Sequence, residues 1–135
     1  GETARPIARV ASGGELSRVL LALVVALARS RNSFEALIFD EIDAGIGGAT
    51  ATAVGARLGE LARQGQVVCV THLAQIATWA ERHYVLDKLE RGGDTTIAVR
   101  ELDGRKEREA EIARMLSGET HDVALRHARA LLKKQ

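Results

Sequence analysis

Apolar residues recur at two different periods along this chain. Leu16, Val19, Leu20, Leu23, Val24 and Leu27 follow the i, i+3, i+4 rule, which predicts a helix from Glu15 to about Arg29 with one apolar stripe. Ser12 stands where an N-cap belongs, and Glu15 three residues later completes a capping box. Ala36-Leu37-Ile38-Phe39 is an unbroken apolar run that ends in two carboxylates, the profile of a buried parallel strand. Gly45, Gly47 and Gly48 then form a loop, and Ala49 to about Gln64 is a second helix with Val54, Leu58 and Leu61 facing inward. A second buried strand runs from Gln66 to Thr71 on Val67, Val68 and Val70, and a short helix follows from Leu73 to about Ala80. His83–Glu90 and Thr95–Leu102 read as two strands joined by a turn at Arg91-Gly92-Gly93-Asp94. Two helices close the pattern, about Lys106–Leu116 and His121–Lys133, with Ser117-Gly118 stopping the first. The expectation is an α/β fold: parallel strands with flanking helices, then a β-hairpin and two C-terminal helices. Ligands of such sheets bind at the loops beyond the strands' carboxyl ends.

Composition narrows the choice. The 135 residues suit one domain. With 19 Lys+Arg against 18 Asp+Glu the formal charge is +1, so the chain as a whole is neither a basic nucleic-acid glove nor a polybasic membrane arm. Hydrophobic residues at 46% exclude a disordered chain. Phe34, Phe39, Trp79 and Tyr84 are the only aromatics, too few for a base-stacking platform. The single cysteine, Cys69, sits in an apolar run and reads as a small buried side chain in a reducing, cytoplasmic compartment. The longest apolar run, Val19 to Ala28, is shorter than the ~20 residues a membrane-spanning helix needs. Ahead of the first helix, Gly1 to Val10 is short and irregular around Pro6, and Gly1-Glu2-Thr3 reads as the interior of something longer.

Three features carry potential chemistry. Asp40-Glu41 ends the first strand in the manner of a Walker B segment, where one acid holds Mg²⁺ through water and the next orients or deprotonates an attacking water. Adjacent residues on a strand point to opposite faces, so the two acids can serve two different tasks. Ser12-Gly13-Gly14-Glu15 opens a helix whose free N–H groups and dipole favour an anion such as phosphate. His72 follows Thr71 at the end of the second strand, on the same sheet edge as the acids. Each has a plain structural reading as well: a strand ending at polar surface residues, a capped helix after a tight turn, and a loop histidine. Arg126, Arg129 and Lys133 form a basic stripe on the last helix that can meet DNA phosphates, although a solvated face whose cations suit the helix C-terminus is the preferred account. His121 and His127 lack a thiol or acidic partner at ligand spacing, so no metal site is expected there.

Taken in order, the motifs carry a resemblance. Ala11-Ser12-Gly13-Gly14-Glu15-Leu16-Ser17-Arg18 resembles the ABC signature motif, Ala36 to Asp43 resembles Walker B, and Val70-Thr71-His72 resembles the switch-histidine loop. Transporter ATPases usually carry Gln after the signature glycines and Pro after the acids. Glu15 and Ile42-Asp43 are instead like chromosome-maintenance (SMC-type) heads. Asp40-Glu41-Ile42-Asp43-Ala44-Gly45-Ile46-Gly47-Gly48, Thr71-His72-Leu73-Ala74-Gln75-Ile76-Ala77 and Glu111-Ile112-Ala113-Arg114-Met115-Leu116 are similar to the RecN family of bacterial DNA repair proteins, from about Pro6 onward. That family usually has proline at Ala74.

The resemblance implies the C-terminal lobe of an ABC/SMC-type P-loop ATPase head, acting in DNA double-strand break repair and recombination near the bacterial nucleoid. It implies ATP and Mg²⁺ as cofactors. Asp40 would hold Mg²⁺ through water, Glu41 would be the general base, and His72 would contact the γ-phosphate. Ser12, Gly13, Gly14 and Glu15 would meet the ATP of a second head in an ATP-dependent homodimer. DNA would be engaged through the full-length protein. SMC and transporter heads usually place Asp where Gly47 stands, and either Asp43 or the glycines' backbone groups would take over its part. No G-x-x-x-x-G-K-[ST] occurs in the sequence, so an N-terminal Walker A lobe is the implied partner and the chain alone is expected to be inactive. The alternatives are the C-terminal half of an ABC transporter ATPase, or a non-catalytic interaction module.

Overall fold

The computed structural model describes residues 12–28, 34–91 and 94–133. The irregular stretch around Pro6, Ala11 of the signature-like motif, the expected helix end at Arg29 and the Gly92-Gly93 turn lie outside the described residues. The elements run α1 (Gly13–Ala28), β1 (Ala36–Phe39), α2 (Gly48–Ala62), β2 (Gln66–Cys69), α3 (Ala74–Ala77), β3 (Tyr84–Arg91), β4 (Asp94–Glu101), α4 (Gly104–Ser117) and α5 (Asp122–Leu132). Every expected helix and strand is present, with bounds shifted by a few residues. The chain divides into two compact units, Gly1–Ile76 and Ala77–Gln135.

In the first unit β1 and β2 pair in parallel, with Ala36 opposite Gln66 and Phe39 opposite Cys69. Alternation along the strands sends Leu37, Phe39, Val67 and Cys69 to the inner face. There Leu21 of α1 and Ala51, Val54, Leu58 and Leu61 of α2 join Phe39, Ile42 and Ile76 in one core. The opposite face is open: Ile38 is 73% exposed, and Val68 and Val70 are exposed beside it. The expectation of strands buried on both faces is therefore met on one face only, because among the described residues of this unit the helices that join the core pack on the inner side.

A second difference lies in α1. Ser12 caps the helix as expected: its Oγ accepts from the Glu15 N–H at 3.3 Å, and the Glu15 carboxylate accepts from the Ser12 N–H at 2.7 Å. The side turned inward carries Gly14, Leu21, Val24 and Val25. Most of the apolar stripe, Leu16, Val19, Leu20 and Leu23, is exposed.

In the second unit β3 and β4 form an antiparallel hairpin with Leu86 opposite Val99. Ile112 and Ala113 of α4 and Ala124 and Ala128 of α5 are buried in the helical pair that follows. These alanines allow a close approach of the two helices. α4 stops at Gly118, whose φ of 80° is the left-handed conformation that glycine adopts without a Cβ clash. His121 caps α5, its Nδ1 accepting from the Ala124 N–H at 3.2 Å.

Candidate functional site

The loops after β1 and β2 lie side by side because the strands are parallel and in register; the Val70 N–H donates to the Phe39 carbonyl at 3.0 Å. The start of α1 closes onto the first of these loops. Ser17 Oγ donates to the Asp40 carbonyl at 3.0 Å, and Arg18 Nη1 donates to the carbonyls of Ile42 at 3.2 Å and Ala44 at 2.8 Å. Arg18 thus satisfies two loop carbonyls that would otherwise need water. Neither Ser17 nor Arg18 stands out as a site residue in the sequence, since each falls inside a motif whose glycines draw attention first.

The glycines make this closure possible. A Cβ on Gly14 would lie 2.7 Å from both the Ala44 Cβ and the Glu41 carbonyl oxygen. On Gly13 it would lie 2.6 Å from Glu41 Oε2. Gly13, Gly14 and Glu41 are therefore neighbours within one chain, and Gly14 is buried. Ser12 and Glu15 are exposed and bonded to each other.

Asp40 and Glu41 lie beyond the end of β1, so strand alternation does not govern their directions. Glu41 has φ 55°, a left-handed backbone on a non-glycine residue. Its N–H donates to Asp40 Oδ1 at 2.9 Å. Both carboxylates are exposed. Left-handed backbone at a residue with a proposed chemical role is the sort of local strain that surrounding structure must hold in place, and the Ser17 and Arg18 bonds flank it.

Asp43 is the residue whose surroundings the sequence conceals most. It is 5% exposed, and one carboxylate oxygen, Oδ2, accepts from Thr71 Oγ1 at 2.5 Å and from the His72 N–H at 2.9 Å. The same oxygen lies 3.0 Å from His72 Nδ1. Burial pushes the Asp43 carboxyl up, but the bonds from Thr71 and the His72 backbone, with the nearby imidazole, outweigh it and leave its pKa below the ordinary value. Thr71 Oγ1 in turn accepts from the Leu73 N–H at 3.0 Å. The His72 side chain is 75% exposed and lies against the Asp43 carboxylate. His72 shares no hydrogen bond with Asp40 or Glu41 among the described residues. Cys69, on the inner side of β2, has its thiol pushed up to about 12 by burial and by the charges of Asp43 and Asp40, so it is not a reactive thiolate.

Among the described residues no group of three His, Cys, Asp or Glu side chains is placed to cage a metal. A single exposed carboxylate suits Mg²⁺, which keeps several waters and takes much of its shell from phosphates. Asp40 meets that requirement. No described helix is long and apolar enough to cross a membrane. On α5 the basic stripe is interrupted, because Arg129 Nε donates to Glu109 at 2.7 Å.

No protein-family model matches the chain. The DNA repair protein RecN of Deinococcus radiodurans is 54% identical over 98% of the chain, and that of Treponema pallidum 50% identical over 98%. The RecN of Streptomyces coelicolor is 48% identical, again over 98%. The chain spans 23% of the length of each of these relatives. A solved structure from work on ATP-driven dimerization and DNA-stimulated activation of SMC ATPases aligns with 74% of the chain and 60% of its own, at 23% identity and a TM-score of 0.47. Sequence identity near one half, sustained across almost the whole chain, makes the chain similar to a C-terminal portion of the RecN DNA repair proteins, about a quarter of their length.

Proposed function

We propose that the chain is the C-terminal lobe of a RecN-type ATPase head, and that its two units serve that one lobe in DNA double-strand break repair and recombination. The observation that carries the reading is the convergence of Asp40-Glu41, the Asp43-held His72 and the glycines of α1 at one edge of a parallel sheet, in a chain half identical to DNA repair proteins. The chain needs an N-terminal lobe with a Walker A loop, and a second head, to complete an ATP site.

Within that site Asp40 would hold Mg²⁺ through water. That cation would supply charge neutralisation to the bound nucleotide's phosphates. Glu41 orients the attacking water and takes its proton, a contribution of about 10²–10⁴-fold. His72 presents its imidazole to the terminal phosphate, and the start of α1 from Ser12 to Glu15 faces the nucleotide of the second head. DNA is engaged by the full-length protein.

The test uses a full-length RecN-type protein carrying this sequence. Glu41→Gln is expected to keep ATP binding and ATP-dependent head dimerisation while lowering hydrolysis by at least about 10²-fold. Retention of full turnover would remove Glu41 from its role. The chain alone, without a Walker A lobe, is expected to show no ATP turnover. Head association that is indifferent to Mg-ATP would favour an interaction module over an ATPase.

A further inference from the structure

We propose that Asp43 is the positioning residue for His72, fixing which imidazole nitrogen faces the nucleotide. The inference rests on the reading of His72 as the group that meets the terminal phosphate, and it adds the residue that aims it.

The geometry is specific. A free histidine ring turns about two bonds and carries its proton on either nitrogen. Here Asp43 Oδ2 lies 3.0 Å from His72 Nδ1 and also accepts the His72 backbone N–H at 2.9 Å. That one oxygen bonds the His72 main chain and lies against the ring's Nδ1, which ties the ring to its own backbone. An ionised carboxylate can only accept, so its charge 3.0 Å from Nδ1 favours the proton on that nitrogen and leaves Nε2 for the nucleotide. Three-quarters of the side chain is exposed, so packing does little to fix the ring. Asp43 itself is well fixed: it is buried, and Thr71 Oγ1 donates to the same oxygen at 2.5 Å. The Thr71 hydroxyl can give its single proton to Asp43 because its lone pair takes the Leu73 N–H. Asp43 therefore connects the loop bearing Asp40 and Glu41 to the loop bearing His72, and any movement of the first loop carries the imidazole with it. Partners of this kind fix ring direction and tautomer, and their loss commonly costs 10–100-fold in sites where the histidine acts.

Asp43→Asn tests the idea. Thr71 Oγ1, the His72 N–H and Nδ1 all meet the same oxygen, so an amide oxygen in that place still accepts from the first two but no longer brings the negative charge that favours a proton on Nδ1. In the full-length protein, Asp43→Asn is expected to lower kcat by about 10–100-fold with KM for ATP little changed. In a His72→Ala background the same substitution is expected to have no further effect. An equal loss in both backgrounds would overturn the proposal, because it would show that Asp43 acts on structure generally. Unchanged kcat would overturn it as well. If His72→Ala alone turns over ATP normally, the reading of His72 fails, which is a separate result. Should Asp43→Asn not fold, nitrogen chemical shifts of His72 in the unsubstituted protein decide the matter: a protonated Nδ1 and a bare Nε2 in the neutral ring are expected, and the reverse tautomer would refute the assignment.

Discussion

Gly13 and Gly14 are adjacent and chemically identical, yet the neighbours they meet give opposite expectations for the same substitution. The Gly14 position faces backbone and a Cβ, the Glu41 carbonyl and Ala44, each 2.7 Å from where a new methyl group would sit. Neither can turn aside, so Gly14→Ala must push the loop after β1 away from α1, at about 1–3 kcal/mol. At Gly13 the obstacle is the end of the Glu41 side chain, 2.6 Å away, which can rotate into solvent. Gly13→Ala should be close to neutral in thermal unfolding, helped by the better helix propensity of alanine. Equal losses of melting temperature in the two variants would contradict this account. The sequence makes the two glycines visible but not this difference, which depends on a contact between residues about thirty positions apart. Asp40, Glu41 and His72 are legible because each ends a recognisable apolar run. Asp43 is less so: the third acid in Asp-Glu-Ile-Asp reads as loop, and only the parallel register of β1 and β2 brings Thr71 and His72 to it.

At the scale of elements, α4 and α5 are joined by a charge network around Glu109. Its side chain is nearly buried and accepts from Arg105 Nε and Arg129 Nε, each at 2.7 Å. The bond from Arg129, then that from Arg105, holds its pKa below the ordinary carboxylate range. A carboxyl whose folded pKa is depressed stabilises the fold at pH values above its unfolded pKa of about 4.3, and that contribution is lost as pH falls through the folded value. Glu109→Gln is therefore expected to cost about 1–3 kcal/mol near neutral pH. The difference from the parent chain should shrink in acid, as unfolding curves at pH 7 and pH 3 would reveal. A difference independent of pH would assign the loss to packing. Periodicity located both helices, the hairpin and the Gly118 stop, since these are local. The pairing of Glu109 with Arg129, 20 residues away, is a tertiary outcome, and it takes from the α5 stripe a cation that spacing alone offers to DNA. α1 shows the same limit in reverse. Its apolar stripe is plain in the sequence, but the side turned inward carries Gly14 with Leu21, Val24 and Val25, and most of the stripe stays exposed.

For the molecule as a whole, the first unit presents more apolar surface than a solitary soluble domain usually leaves open. Leu20 and Leu23 on α1 are exposed, as are Ile38, Val68 and Val70 on the outer face of the parallel pair. Both strands of that pair also have an unpaired edge among the described residues. The relatives are more than four times as long as the chain, and under the proposed function the Walker A lobe is what covers these surfaces. The apolar stripe that α1 does not use for its own core is then an interface. Leu20→Glu together with Leu23→Glu should leave the chain's own core intact, because neither side chain belongs to it. Its unfolding midpoint should stay within a few degrees of the parent, and binding of a hydrophobic dye should fall. Association with a separately produced N-terminal lobe should weaken at least tenfold, equivalent to about 1.4 kcal/mol or more. If association is unchanged while dye binding falls, the α1 stripe faces something other than that lobe, and the outer sheet face of Ile38, Val68 and Val70 becomes the surface on which the two lobes would have to meet.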